Sequence, residues 1–440
     1  MKKMFAKSLL TAAVTAAVAM PVHAYNLHTS DAGEVNLDVE AILGAFSSEE
    51  TYDTVGLANT GESRDWQEAY IKAGISATRN LENGAAAYGA VSLLASGTWG
   101  DGDAMGIQTG DERELDLEDA YIGYRNDMFD ISIGRQNISF GDGFLINGDS
   151  LNFGEGLDDA LAGGVPGFES DRGGAYWLAA RKAFDKTAIV RVGGDSGLRS
   201  DIFWIESDNA AQASTELAGI NLEYVTETGT FGAMYLEGLD VDDTEAGVLG
   251  LTHRDGQETF SLRYQGSAGV ENLFLSGEFV TQDQGDASRK DGDAWYVEAG
   301  WTFADVAWSP SVNYRYSTFD EGFDPLFFGF NRGYGTWFQG EVAANYAGPF
   351  NSDTDVHHLA VKAAPTETLA VGALFFDFSN TAGGTDANDG QELDIYAEWV
   401  VNDHLIISPL VGFYTPDSNS STQGSDDTNT YFQVLAIVPF

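Results

Sequence analysis

The chain reads as an all-β protein, a single transmembrane antiparallel β-barrel of about 18 strands (roughly 16–20) with short turns at one rim and long loops at the other. Three observations predict this. Apolar residues recur at every second position, short turns alternate with long acidic or Gly-rich loops, and the last segment alternates up to a final aromatic residue.

The alternation is clearest where one face is apolar and the other charged. Val35, Leu37, Val39 and Ala41 share one face, and Glu34, Asn36, Asp38 and Glu40 the other. The same pattern holds for Ala69, Ile71, Ala73 and Ile75 against Glu68, Lys72 and Ser76, and for Phe260, Leu262 and Tyr264 against Ser261, Arg263 and Gln265. It returns in Trp295, Val297, Ala299 and Trp301 against Tyr296 and Glu298, and in Leu393, Ile395, Ala397 and Trp399 against Asp394 and Glu398. A helix would repeat every three to four residues, so period two specifies strands. A soluble sandwich alternates too, and the order of connections separates the two. Short turns are expected near 80–84, 126–128, 183–186, 226–229, 266–270, 304–306, 365–368 and 401–404. Long loops are expected near 47–65, 100–112, 137–173, 194–213, 239–256, 282–292, 319–354, 380–390 and 415–429. Seventeen connections give eighteen strands, and the even count puts both termini at the short-turn rim, as in bacterial outer-membrane barrels.

Composition narrows the classes. The 440 residues include 68 acidic and 22 basic side chains, for a formal net charge of −46, and no cysteine. Phosphate binding needs clustered Lys and Arg, so nucleic acid is not an expected partner. Disulfides and Cys-ligated zinc are excluded, and 9 Trp, 18 Tyr and 27 Phe oppose disorder. Residues 1–24 have the basic start, apolar stretch and small-residue end of a secretory signal peptide, leaving 25–440 as one barrel domain. No later run of about 20 apolar residues suggests a membrane helix.

At the C-terminus, Phe432, Val434, Ala436, Val438 and Phe440 lie on one strand face, a pattern similar to the sorting signature of outer-membrane barrel proteins. Leu117 to Gln136, LEDAYIGYRNDMFDISIGRQ, resembles the hairpin of Gram-negative porins in which an AY-x-G strand turns into one ending GRQ. Ile133 to Phe153, Phe323 to Gly335 and Glu392 to Trp399 look like stretches of the alginate-export porin family. The resemblance implies an outer-membrane channel with outer-membrane lipid, lipopolysaccharide and the barrel-assembly machinery as partners. One departure bears on the solute. Phe144 stands where that family's loop usually has Arg, which opposes export of a polyanion such as alginate.

Alternation assigns the pore-lining candidates. Lys72, Arg191, Arg263, Arg315 and Lys362 fall on the lumen side, with Glu34, Asp38, Glu40, Glu298, Asp394 and Glu398. The cations concentrate in the middle strands and the acids in the first and sixteenth, so a basic wall facing an acidic wall is one expectation. The segment Asn137 to Gly173 is the constriction-loop candidate, through Asp142, Asp149, Glu155, Asp158 and Asp159; a solvated external loop is the other reading of it. The expected function is passive diffusion of small hydrophilic solutes or sugars through a water-filled lumen. The alternatives are a dedicated exporter of an acidic polysaccharide, a plugged surface or adhesion protein, and a barrel-borne esterase.

The esterase reading rests on Gly148-Asp149-Ser150-Leu151 with Asp355 and His358, a four-residue match outside its usual α/β context. Gly194-Asp195-Ser196-Gly197 is equally short, so no catalytic residue is assigned. Asp386 to Glu392 lacks the spacing of a calcium loop, and neither metal nor cofactor is assigned. The oligomeric state has no signature in the sequence.

Overall fold

The computed structural model describes residues 25–53, 60–161, 168–329, 339–342, 351–380 and 388–439. The expected signal peptide and Phe440 lie outside the described residues. Nineteen strands form one antiparallel sheet. In chain order they are β1 (Tyr25–Ser30), β2 (Gly33–Ser48), β3 (Arg64–Asn80), β4 (Ala86–Gly100), β5 (Arg113–Arg125), β6 (Phe129–Gln136), β7 (Phe184–Val192), β8 (Gly197–Glu206), β9 (Glu216–Thr226) and β10 (Gly229–Asp240). There follow β11 (Glu258–Gly266), β12 (Leu273–Asp283), β13 (Gly292–Thr302), β14 (Ser311–Phe319), β15 (Thr354–Ala363), β16 (Leu369–Ser379), β17 (Gly390–Asn402), β18 (Leu405–Pro416) and β19 (Asn429–Pro439).

Each strand from β2 onward pairs with its successor, and β19 pairs back onto β2, closing an eighteen-stranded barrel. The seam runs from Tyr431 opposite Ser48 to Pro439 opposite Glu40. β1 lies outside the count. It pairs with Gly33 to Leu37, the part of the same β2 edge that β19 does not reach.

The strand number agrees with the sequence reading, but one strand is displaced. Residues 174–183, expected as a strand, belong to a single long connection from 137 to 183. The stretch 197–206, expected as loop, is β8, and the short turn falls at 193–196 instead of 183–186. The two errors cancel in the count.

Outside, the barrel carries an apolar band. Leu43, Ile71, Val91, Leu115, Ile122, Ile202, Leu262, Val297 and Ile395 are each 40% exposed or more, because nothing in the protein covers them. Exposed Tyr124, Tyr224, Phe231, Trp301, Trp308 and Trp399 ring the short-turn rim, and Trp99, Tyr235 and Trp295 lie toward the loops. Aromatics flanking an apolar band are the girdles of a membrane barrel. Phe432 points outward into the same band, with Val434 and Val438 on its face of β19.

One irregularity sets up the interior. Ser92 pairs with Asp119 and Leu93 with Leu117, so Glu118 is extra, and this bulge turns the adjacent acids Glu118 and Asp119 both inward. Asp119 accepts from the Ser92 hydroxyl at 2.6 Å.

Val297 is 54% exposed in the apolar band. Val297→Arg is expected to cost about 2–4 kcal/mol of folding stability in lipid, read as a lower urea midpoint for folding into liposomes. Val306→Arg, exposed in the turn at the short-turn rim, should cost little.

Candidate functional site

Eighteen strands enclose a lumen too wide for wall side chains to fill, and here described parts of the long connections fold into it. The 137–183 segment crosses the interior, hydrogen-bonded to inward-facing wall residues along its length. Asp142 accepts from the Tyr296 hydroxyl of β13 at 2.7 Å. On the opposite wall, the Leu178 amide donates to Glu68 of β3 at 3.2 Å, the Ala175 amide to Thr98 at 3.0 Å, and the Lys182 and Ala183 amides to Glu118 at 2.8 and 2.9 Å. Of the two readings of this segment, the folded-in one describes it.

It begins with a small hairpin, residues 138–148, closed by Phe140 N to Ile146 O at 3.1 Å and Gly148 N to Ile138 O at 2.9 Å. The 320–353 connection meets it there. Phe327 donates to Leu145 O at 2.9 Å, Asn147 to Phe327 O at 2.7 Å, and Gly329 to Gly143 O at 3.0 Å, forming a short parallel bridge inside the barrel. Phe144, the position that departs from the alginate-export pattern, is an apolar anchor. Its ring meets Tyr296, Phe319 and Phe323 at 5.2, 5.8 and 6.0 Å. Opposite, Trp177 packs edge-on against Trp66 of β3 at 5.7 Å.

The second connection is anchored by a buried charge cluster. Asp324 receives two hydrogen bonds from Arg254, at 2.7 and 2.9 Å, and lies 2.9 Å from His253 Nε2. Its amide and carbonyl both bond Gln282 of β12. Burial pushes the Asp324 carboxyl up, but Arg254 and His253 outweigh burial and hold it well below the usual carboxylate range.

On β3, β7, β11, β13 to β15 and β17 the residues expected to line the pore alternate with more exposed apolar ones, which puts them on the inward face. Most of the cations are paired there with carboxylates one or two strands away. Lys72 is 3.6 Å from Asp119, Arg191 3.4 Å from Asp201, Arg263 2.6 Å from Glu223 and Lys362 2.8 Å from Glu398. Arg315 stands opposite Glu298, which also accepts from Asn313 at 3.0 Å. Glu40 stands opposite Lys72 and accepts from the Tyr70 hydroxyl, with Asp38 and Glu34 further along β2 toward the short-turn rim. Asp394 is fully buried on β17. Cations and acids are therefore interleaved, in place of the basic wall facing an acidic wall.

The loop candidates separate into two groups. Asp142 roofs an internal cavity, and Asp149 is buried against Arg172 at 3.1 Å with Ser207 and Asn209 donating to it. Glu155, Asp158 and Asp159 lie on a short helix, Glu155–Leu161, where Asp158 caps the Ser170 and Asp171 amides. Sequence reasoning missed Arg135, Arg172 and Arg181. Arg135 and Arg172 share Asp208 at 2.7 and 3.1 Å, and Arg181 reaches Asp116 at 2.8 Å.

The esterase constellation is not assembled. Asp355 and His357 point outward from β15 while His358 points inward, so Asp355 cannot orient the His358 ring. His357 instead bonds the Tyr314 hydroxyl at 2.7 Å.

No family model matches the chain, and comparison with curated proteins finds no match. Solved structures of the same architecture do match. The outer membrane protein OprD from Pseudomonas aeruginosa superposes with a TM-score of 0.57 at 11% identity, covering 95% of each chain. Acinetobacter baumannii OccAB4 gives 0.55 at 11%, covering 91% of this chain and 97% of its own. Pseudomonas aeruginosa OccD3 (OpdP) gives 0.54 at 10%, covering 96% and 95%. These likenesses establish the class, a closed eighteen-stranded barrel of the outer-membrane type. The finer resemblance to alginate-export porins is not supported, since the neighbours are OprD and Occ proteins and no family model matches.

Because the Asp324 carboxyl is depressed in the folded state, its stabilisation is present above the unfolded value of about 3.9 and is lost as pH falls through the folded value. Protease resistance of the 320–353 connection should thus be constant from pH 8 to 5 and fall only in stronger acid. Asp324→Ala leaves Arg254 buried without its carboxylate, at a cost of about 3–5 kcal/mol, and should make that connection protease-sensitive at neutral pH.

Proposed function

We propose that the protein is an outer-membrane channel for passive diffusion of small hydrophilic solutes, narrowed by the 138–148 hairpin. The observation that carries this reading is the polar, charge-paired interior of a closed barrel with an apolar exterior, crossed by a segment bonded to both walls. On this reading the short-turn rim faces the periplasm and the long loops face outward. Residues 1–24 direct export and are removed. Phe432, Val434, Val438 and Phe440 form the signal read by the barrel-assembly machinery, and lipopolysaccharide surrounds the loop end.

A dedicated exporter of an acidic polysaccharide would need a net basic constriction. The pairing of Lys72, Arg191, Arg263 and Lys362 with carboxylates opposes it.

The test is single-channel conductance in a planar bilayer, with reversal potential under a salt gradient. Discrete openings are expected, and trimming residues 139–147 to a Gly-Gly link should raise the unit conductance severalfold. A barrel that inserts and folds but passes no current would mean a plugged surface protein, and unchanged conductance after trimming would place the narrowest point elsewhere.

A further inference from the structure

We infer that the cavity beneath the 138–148 hairpin is a binding site for a neutral polyhydroxylated solute, a sugar or other polyol. The inference rests on the channel reading for the site's place on the permeation path, and on the cavity itself for its chemistry. The cavity encloses about 570 Å³, within the range of about 300–1,000 Å³ usual for small-molecule sites. Its walls are contributed by β5 to β13, its roof is Ser139 to Asp142, and Asn126 and Gly193 to Asp195 mark its opening at the short-turn rim.

Its charge is the first argument. Four arginines (Arg125, Arg191, Arg199, Arg263) and five carboxylates (Asp130, Asp142, Asp195, Asp201, Glu223) line it, close to balance in a chain of net charge −46. Five of the nine are also spent on each other. Glu223 bridges Arg199 and Arg263, and Arg263 bonds Asn221 as well. Asp201 takes Arg191 at 3.4 Å and the Asn221 amide at 2.9 Å. An ion entering among Arg191, Arg199 and Arg263 has to break a pair to gain one, leaving a partly buried charge behind.

Hydrogen-bond capacity is the second. A carboxylate has about four lone-pair sites and a guanidinium five N–H donors, so each pair retains unspent acceptors and donors side by side. A hydroxyl donates to one and accepts from the other without disturbing the pair, and vicinal hydroxyls do so repeatedly. Arg191 and Arg199 keep 43% and 44% of their side chains exposed for this.

The roof supplies the third. Phe140 reaches the cavity lining from the buried cluster, packed on Phe203 at 4.6 Å, and is the roof's apolar contact for a C–H group of the solute. The roof is fixed in height. Gly141 has φ +59°, and a Cβ there would lie 2.9 Å from Arg263 Cδ and Nε, while Asp142 is held by Tyr296.

The test titrates the full-length, detergent-folded protein with glucose, maltose and glucuronate by calorimetry, alongside the conductance measurement. Saturable binding of maltose is expected, with glucuronate within about threefold of glucose. In Glu223→Gln the amide keeps the shape but unpairs Arg199 and Arg263, and glucuronate should then bind about tenfold tighter than glucose. Phe140→Ala should weaken both neutral sugars. If Glu223→Gln does not fold, Asp201→Asn makes the same test through Arg191. A native protein that already prefers glucuronate tenfold, or that gives no heat with any sugar, overturns the inference. Current without sugar binding removes the site and leaves the channel; binding without current removes the channel reading and leaves the site.

Discussion

The constraint on which the structure depends is the hydrogen-bonding of its backbone in a medium without water. An unpaired N–H or C=O in hydrocarbon costs several kcal/mol, so a membrane sheet must have no free edge. The β19–β2 seam removes the last edge, and closure has further consequences here. Antiparallel neighbours and a closed ring bring both termini to one rim. There β19 stops at Pro439, opposite Glu40, and β1 takes over the same edge of β2 from Leu37 to Gly33. The N-terminal strand thus covers the part of β2 that the C-terminal strand leaves open.

Closure at eighteen strands creates the next problem, an interior larger than its wall side chains. The structure answers with connections that carry their own apolar cores. Phe144, Leu145, Ile146, Phe323 and Phe327 pack against the β7 to β14 side, and Met105, Ile107, Tyr176 and Leu178 against the β2, β3 and β15 to β19 side. These residues sit inside a membrane protein yet obey the packing rules of a soluble core. Apolar residues facing lipid are exposed, and those facing the lumen are buried by loop.

That inversion explains how much of the molecule was legible. Strand faces with one apolar and one polar side could be read directly, which is why the inward placement of Arg263, Glu298 and Asp394 follows from alternation alone. The segment 174–183 was misread because a chain packed inside the lumen needs apolar side chains too, and Tyr176, Leu178 and Ala180 imitate a strand. β8 was missed for the converse reason. It begins Gly-Leu-Arg-Ser-Asp, and its polar start merges with the preceding Gly-Gly-Asp-Ser turn. Glu118 next to Asp119 was a readable sign of a bulge, since two adjacent acids break the alternation. Pairing partners were not readable, because the Arg263 and Glu223 contact spans forty residues and depends on register.

Charge pairing in turn limits what the whole-chain charge can mean. A net −46 suggests a strongly cation-attracting lumen, but the field at the pore is set by local balance, and there Lys72, Arg191, Arg263 and Lys362 each meet a carboxylate. Wall and loops then carry different parts of the function. The wall is fixed by closure and its charges by cross-strand register, so neither can shift without breaking the barrel. The hairpin at 138–148 is held by Asp142, by the aromatic contacts of Phe140 and Phe144 and by a three-bond bridge to the 320–353 connection, which the buried Asp324 fastens in turn. On the proposed channel reading, pore width is thus set by the part of the molecule that closure does not constrain.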